Sequence, residues 1–355
     1  MMRVLALVPY PAGRAPGQRY RIEQWAPFLR AEGVEVTISP FLSPRGMDVL
    51  YEHGHVLVKA RETLSGYLRR SAEAIRSASA DVIFVYREAA LLGPAWIERL
   101  SALRRPLVFD FDDAIYLADT SQANSWSRVL KPLTKAATIC RLARHVTVGN
   151  EFLARFALDH AKEVSVVPST IDTDFYQLKP RVRNLVPVIG WTGSATTVSY
   201  LTALVRALRR LREKYDFELR VIGAKLDIQG LAIRCVPWRA QTEPEDLRAF
   251  DVGLMPLADD EWSRGKCGMK ALQYMGLGIP PVVSPVGANR TIVQDGVNGF
   301  YARTEDEWIE RIGLLLADES LRERLGREGR KTVEESYSAR VQAPRVARIL
   351  TDAAA

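Results

Sequence analysis

Two kinds of stretch alternate along the first half of the chain: short, mainly apolar runs, and longer ones in which apolar residues recur at helical spacing. The runs at 4–8, 34–39, 82–86, 107–111, 146–148 and 164–167 read as strands, and segments such as 20–32 and 94–103 as helices. Near Asn184 the pattern starts again, with strands predicted at 188–191, 218–222, 232–236, 252–255 and 281–284. Strand–helix alternation predicts parallel sheets with helices on both faces, and two such series predict two doubly wound α/β domains. The join is expected within 177–187, which holds Pro180 and Pro187 and the charges Lys179, Arg181 and Arg183. This gives one domain over 1–182, a second over 183–336, and a helical tail at 337–355 that packs back on the first.

Composition fits that division: 355 residues are many for a single core. Lys and Arg number 49 against 42 Asp and Glu, so the net charge is 49 − 42 = +7. That balance favours anionic partners such as nucleotides, phosphorylated lipids or membrane surfaces. Nucleic acid is not expected, because the cations are scattered and no aromatic-interleaved basic motif occurs. The three cysteines, Cys140, Cys235 and Cys267, lie far apart, so neither a disulfide framework nor a zinc pattern follows and a reducing compartment is expected. The first apolar run stops at Pro9, too short for a signal peptide, and no run approaches the ~18 residues of a membrane span. A cytoplasmic chain is expected. Segments 68–76 and 128–144 mix cations with apolar residues at helical spacing. They read either as helices that touch the inner face of an anionic membrane or as solvated helices with a core face.

The chemistry concentrates in WSRGKCGMKALQYMGLGIPPVVSPVGANRTIVQDGVNGF, residues 262–300. A helix is predicted over 269–277, with Gly278 placed for a left-handed C-cap and a buried strand at 279–284. Arg264, Lys266 and Lys270 crowd the helix start, where cations oppose the macrodipole by up to ~1 kcal/mol each. An anion held there by backbone N–H groups and lysines accounts for them; solvated surface lysines are the alternative. Lys270 and Gln273 share a helix face, and a cation beside an amide suits a diphosphate joined to a ribose.

Other candidates follow strands, where open α/β sheets bind ligands. The loop PYPAGRAPGQRYR lacks a dinucleotide fingerprint; in it Gly17 permits close backbone approach, and Arg19 and Arg21 suit phosphate or form a solvated basic loop. Arg87 follows the third strand, and pairing with Glu88 is its alternative to ligand contact. FDFDDAIYL puts Asp110, Asp112 and Asp113 on a strand and its exit. Asp112 and Asp113 face opposite ways on an extended strand, so one suits the ligand crevice and the other a helix cap; no third spaced acid or His completes a metal site. VIGWTGSATT offers Gly193 and Ser194 as a second backbone cradle for an anion, and Trp238 suits a nucleotide base or plain packing.

Together these residues resemble the GT-B glycosyltransferases of family 4, the retaining family also described as glycosyl transferases group 1. The resemblance spans the chain and is most specific in KALQYMGLGIPPVVSPVGANRTIVQDGVNGF, with VVPSTIDTDFY and IGWTGS in support. It implies two Rossmann-like domains facing across a cleft, and a nucleotide-sugar donor at Gly193, Ser194 and the amides of Gly268, Met269 and Lys270. Gln273 takes the place of the glutamate that usually holds the ribose hydroxyls, and Gly265 stands where the family carries its other glutamate. Asp259, Asp260 and Glu261 are the nearby candidates to recognise the donor sugar instead. Asp112 occupies the position of a histidine found in many relatives, a variation similar to that of a subset of bacterial members. The resemblance implies metal-independent transfer to a glycan, lipid-linked or small-molecule hydroxyl, with no cofactor beyond the donor as co-substrate. Lys266 and Lys270 stabilise the leaving diphosphate, and Asp112 and Asp113 act near the reacting sugar. A GT-B sugar-nucleotide epimerase and a non-catalytic nucleotide-sugar or polysaccharide binder are the alternatives.

Overall fold

The computed structural model describes residues 1–50, 52, 54–76, 79–117, 134–178 and 184–355. Among these, the first sheet contains β1 (Met2–Val8), β2 (Val34–Pro40), β3 (Val82–Tyr86), β4 (Leu107–Phe111), β5 (His145–Val148) and β6 (Val164–Val166). Its order is β2-β1-β3-β4-β5-β6, with every neighbouring pair parallel. The second sheet contains β7 (Val188–Thr192), β8 (Glu218–Ile222), β9 (Ile233–Val236), β10 (Val252–Met255), β11 (Pro281–Val283) and β12 (Phe300–Tyr301), ordered β12-β11-β10-β7-β8-β9 and again parallel. These are two parallel-sheet, Rossmann-like α/β units. The central strands β3, β4 and β7 are buried at every residue, which is why their sequences are near-continuously apolar.

In each sheet the strand order reverses beside the first strand. β1 lies between β2 and β3, and β7 lies between β8 and β10. The carboxyl ends of strands at such a reversal are where this class of sheet takes ligands.

The chain divides into Met1–Ser169 with Ala339–Ala355, and Thr170–Ser338. The first boundary therefore precedes the expected 182/183, which lies with residues 179–183 outside the described residues. Tyr176 shows why: its hydroxyl donates to Glu243 at 2.6 Å, so the segment before the expected join is already built into the second unit. The last helix, Ala339–Ala354, buries Ala343, Val346, Ala347 and Leu350 with Val4, Ala6, Trp25 and Leu29 in the first unit's core.

Local outcomes refine the sequence reading. The predicted helix 20–32 is a run from Pro16 to Ala31 with a π-helical turn at Arg19–Glu23. The helix expected at 269–277 is Met269–Gly276, and Gly278 is left-handed at φ 68°. Segment 68–76 is the end of a longer helix, Val56–Arg76. Its cations are not all solvated: Arg70 is fully buried and donates to the carbonyls of Val8, Ser39 and Ala89. Of segment 128–144, residues 128–133 lie outside the described residues, and Lys135 is buried beside Glu88 at 3.4 Å. No described helix is long and apolar enough to cross a membrane. The three cysteines are free, with Cys267 buried.

Candidate functional site

In the first unit the candidate site grows from the exit of β4. Asp110 still belongs to the strand and is fully buried. It accepts from Thr147 Oγ1 at 2.6 Å and pairs with Arg21, whose Nε donates at 3.0 Å. Arg21 also donates to the Val167 carbonyl and lies 4.5 Å from the centre of the Trp25 ring. Both charges are buried, and removing one partner of such a pair costs about 3–5 kcal/mol. Arg21 is therefore a buried structural tie, and neither of its sequence readings, phosphate contact or solvated loop cation, describes that position. Arg19 is also turned inward: it is buried, with its guanidinium over the Tyr20 ring and donating to the Tyr20 hydroxyl.

Beyond the strand, Asp112 and Asp113 share one partner. Arg87 donates through Nε to Asp112 Oδ1 at 2.8 Å and through Nη2 to Asp113 Oδ2 at 2.8 Å. Strand alternation put the two aspartates on opposite sides; a guanidinium from the end of the neighbouring strand gathers both. Arg87 does not pair with Glu88, which sits beside Lys135. To reach the aspartates Arg87 takes φ 58°, a left-handed conformation that is uncommon outside glycine, just after β3. Tyr86, the last residue of β3, donates its hydroxyl to Asp112 Oδ1 at 2.8 Å. Sequence reasoning read Tyr86 only as a strand residue; its polar tip at a strand's carboxyl end was the available signal.

Burial pushes the Asp112 carboxyl up, but Arg87, Arg21 and the Tyr86 hydroxyl outweigh it, so the group is held below the ordinary carboxylate range. Burial raises the Tyr86 phenol well above its usual value, so it stays a donor. Gly17 closes the cluster: a Cβ there would stand 2.6 Å from the Tyr86 hydroxyl, 2.9 Å from Asp112 Oδ2 and 3.0 Å from Arg87 Nη2. Of the first unit's candidates, the structure unites Gly17, Arg87, Asp112 and Asp113, and takes Arg19 and Arg21 into the protein interior.

In the second unit, the helix Met269–Gly276 begins at Gly268, whose φ of 70° is left-handed and which supplies no side-chain cap. A Cβ at Gly268 would collide with Ile292. Lys270 and Lys266 are half-buried, not extended into solvent. The Lys270 ammonium lies 5.4 Å from the centre of the Trp191 ring, and that of Lys266 5.1 Å from the Trp262 ring. Trp191 is in β7, and its ring fills the space a Cβ would need at Gly193. Lys270 and the glycine turn after β7 are thus joined through one indole. Ser194 is exposed, and its amide donates to Thr197 Oγ1 at 3.1 Å, so this part of the turn caps itself.

Several candidates have local partners here. Arg264 is exposed and paired with Asp259 at 2.7 Å, so the third cation at the helix start is already neutralised. Asp259 holds that pair, and Asp260 caps the helix Glu261–Arg264 through the Ser263 amide. Trp238 donates its indole N–H to Glu243 at 2.7 Å. Gln273 is buried and donates to the same carboxylate at 2.8 Å. Glu243 escaped the sequence reading, since it lies far along the chain from Gln273 in an ordinary first turn of a helix, Glu243–Arg248. Among the described residues no three His, Cys, Asp or Glu side chains gather as a metal site.

Residues 186–318 match the family described as "Glycosyl transferases group 1". A D-inositol 3-phosphate glycosyltransferase from Xylanimonas cellulosilytica is 31% identical over 157 residues, 39% of this chain and 36% of that protein. The match therefore spans about a third of that relative's own length. Among solved structures, Anabaena HepE in complex with UDP-glucose aligns over 99% of this chain and 100% of its own, with a TM-score of 0.69 and 14% identity. Sucrose-phosphate synthase from Thermosynechococcus elongatus aligns over 99% and 100%, with a TM-score of 0.68 and 15% identity. The two units thus carry the GT-B type of fold.

Proposed function

We propose that the chain is a retaining, metal-independent glycosyltransferase of family 4 that moves a sugar from a nucleotide-sugar donor to a hydroxyl acceptor. The observation that carries this reading is the contact of Lys270 with Trp191, which ties a helix start lacking a side-chain cap to the Gly193 turn at the sheet's reversal point. Backbone N–H groups and two half-buried ammonium groups are the chemistry that grips a diphosphate. The family match over the second unit and a structural neighbour solved with UDP-glucose support a nucleotide-sugar there.

In the proposed reaction the bond from the anomeric carbon to the diphosphate breaks while the acceptor oxygen bonds to the same face of that carbon. The acceptor's proton passes to the departing phosphate oxygen. Lys266, Lys270 and the helix N-terminus stabilise the negative charge that develops on the diphosphate. Asp112, kept ionised and oriented by Arg87 and Tyr86, accepts a hydrogen bond from a hydroxyl of the sugar or acceptor. The acceptor is a glycan, a lipid-linked compound or a small molecule. A lipid-linked one brings the chain to an anionic membrane, and the exposed Leu57, Leu64 and Leu68 of helix Val56–Arg76 form the apolar face for it. Salt-sensitive co-sedimentation with anionic liposomes tests that contact.

A thermal-shift panel of UDP, GDP, ADP, CDP, dTDP and their sugars identifies the donor. One nucleotide should raise the melting temperature, by linkage worth about 2.7 kcal/mol at a hundredfold excess over Kd. With that donor, K266A/K270A should lower kcat/KM by roughly a hundredfold or more, as loss of a charge-stabilising donor does, without unfolding the chain. EDTA should leave turnover unchanged. Near-normal turnover in the double variant rejects the assignment of the lysines, and a panel without any nucleotide response rejects the donor.

A further inference from the structure

The connections that lead into β4, β5 and β6 meet at the amino ends of these strands, the end of the first sheet opposite Asp112 and Asp113. Leu107 opens β4, Arg144 immediately precedes β5, and Lys162 and Glu163 lie just before β6. They line a pocket of about 700 Å3, a size within the ~300–1,000 Å3 usual for small-molecule sites. Its apolar wall includes Pro106, Leu107 and Leu142, and its positive charge comes from Arg141, Arg144 and Lys162.

Cations near helix and strand ends ordinarily serve the fold, by pairing with an acid or by capping terminal carbonyls. These three do neither. Among the described residues, the side chains of Arg144 and Lys162 have no hydrogen-bond or ion-pair partner. Arg141 is in the last turn of the helix Lys135–Leu142, yet its guanidinium turns to His160, 3.4 Å from Nδ1, and not to a carbonyl. The backbone here is already satisfied without them. The Arg144 amide donates to the Leu107 carbonyl at 2.8 Å, the Ala143 amide to Ile139 at 2.9 Å, and the Val146 amide to Glu163 at 2.9 Å. Glu163 is the one acid among the described lining residues, and its carboxylate lies 3.2 Å from His145 Nδ1.

Like charges that share a concave surface repel one another, and its low-dielectric walls strengthen their combined field. A bound anion turns that repulsion into attraction. The two guanidinium groups offer forked N–H donors that match phosphate oxygens, and Lys162 adds a point charge. We propose that this pocket binds a phosphate monoester, its dianionic head held by Arg141, Arg144 and Lys162 and its organic part lying on Pro106, Leu107 and Leu142. Inorganic phosphate satisfies the cations but leaves the apolar wall uncovered. The ester is either a soluble compound or the headgroup of a lipid such as phosphatidate. All the residues of this pocket belong to the first unit, whereas those proposed to grip the donor's diphosphate belong to the second, so the inference does not depend on the nucleotide-sugar reading.

The test titrates phenyl phosphate and inorganic phosphate into the full chain at about 0.15 M salt, where exposed charges are screened beyond ~8 Å. Phenyl phosphate should saturate with a Kd below about 1 mM and bind at least about threefold tighter than inorganic phosphate. R144Q/K162Q should weaken that binding at least about tenfold. K214Q/K331Q, the same loss of charge at exposed lysines elsewhere, should leave it unchanged, as should K266A/K270A. In hydrogen exchange on the parent, bound phenyl phosphate should protect peptides covering 102–107, 141–144 and 160–163, a readout that needs no variant to fold. Flotation with phosphatidylcholine vesicles, with and without phosphatidate, separates the two sources. Phosphatidate-dependent flotation that R144Q/K162Q abolishes assigns the site to a lipid headgroup, and phenyl phosphate binding without flotation assigns it to a soluble ester. Binding that survives R144Q/K162Q or is lost in K266A/K270A overturns the proposal, as does protection confined to other peptides. Absence of saturable binding to both phenyl phosphate and phosphatidate vesicles overturns it as well.

Discussion

Arg87 holds Asp112 and Asp113 from a strained backbone, and the charge it stabilises has a signature in solution. Burial alone raises the Asp112 carboxyl, but Arg87, Arg21 and Tyr86 bring it below its ordinary value. The unfolded chain therefore binds a proton at higher pH than the native one. The stability contributed by Asp112 is fully present above the unfolded value, about 3.9, and is lost as pH falls through the depressed native value. Asp112→Asn should destabilise the protein most near pH 7, and the gap in melting temperature should narrow steadily below about pH 4. A gap that does not change between pH 7 and pH 3 means the carboxylate is not held in its ionised form. At this scale the sequence showed which residues carry charge at strand exits and helix starts: Asp112 and Asp113 follow a buried strand, and Lys270 lies in the first turn of a helix. It did not show partners. Arg87 and Glu88 are neighbours in the chain but not a pair, and the union of Arg21 with Asp110 exists only because separate elements bring them together. Glu243 and Tyr86 were missed for the same reason.

Elements were more legible, because periodicity is a local property. The fully buried β3, β4 and β7 announce themselves as apolar runs, and Gly278 ends its helix where a left-handed residue is needed. Less legible were β12, only two residues long, and the helix Val56–Arg76, whose exposed Leu57, Leu64 and Leu68 blur the division between apolar and polar faces. The helical run from Pro16 also started earlier than expected, and its first residues touch the candidate site. Gly17 lets that backbone lie against Tyr86, Asp112 and Arg87. Gly17→Ala introduces no forbidden backbone angle, so its effect is steric: the cluster must open by several tenths of an ångström. Overpacking of this kind costs roughly 1–3 kcal/mol. The variant should therefore melt a few degrees lower and lose more in kcat than the melting shift explains, since Asp112 is displaced from its partners. Unchanged kcat alongside a lowered melting temperature would show that the Asp112 cluster is packing and not part of the chemistry.

At the scale of the molecule, the division into two units makes the chain's last helix the property of its first. Ala339–Ala354 contributes Val346, Ile349 and Leu350 to a core shared with β1, β2, β3, β4 and the helix Gln24–Ala31, among others. Fully burying a side chain of that size is worth about 1.5–3 kcal/mol, so these three alone supply on the order of 5 kcal/mol or more, comparable to the whole stability of a typical domain, about 5–15 kcal/mol. The second unit has a separate core around Trp191, Leu208, Leu219, Leu254 and Leu315 that contains none of this helix. A chain ending at Ser338 should therefore lose its two halves unequally. In hydrogen exchange read by mass spectrometry, peptides covering β1–β4 should exchange as unfolded chain, while those covering β7, β8 and β10 keep their protection. The truncated chain should still show the nucleotide-dependent thermal shift, because the residues proposed to grip the diphosphate all lie within Thr170–Ser338. Equal loss of protection in both sets of strands would mean that the two units fold as one cooperative body, and the separate cores would then be a property of packing and not of stability.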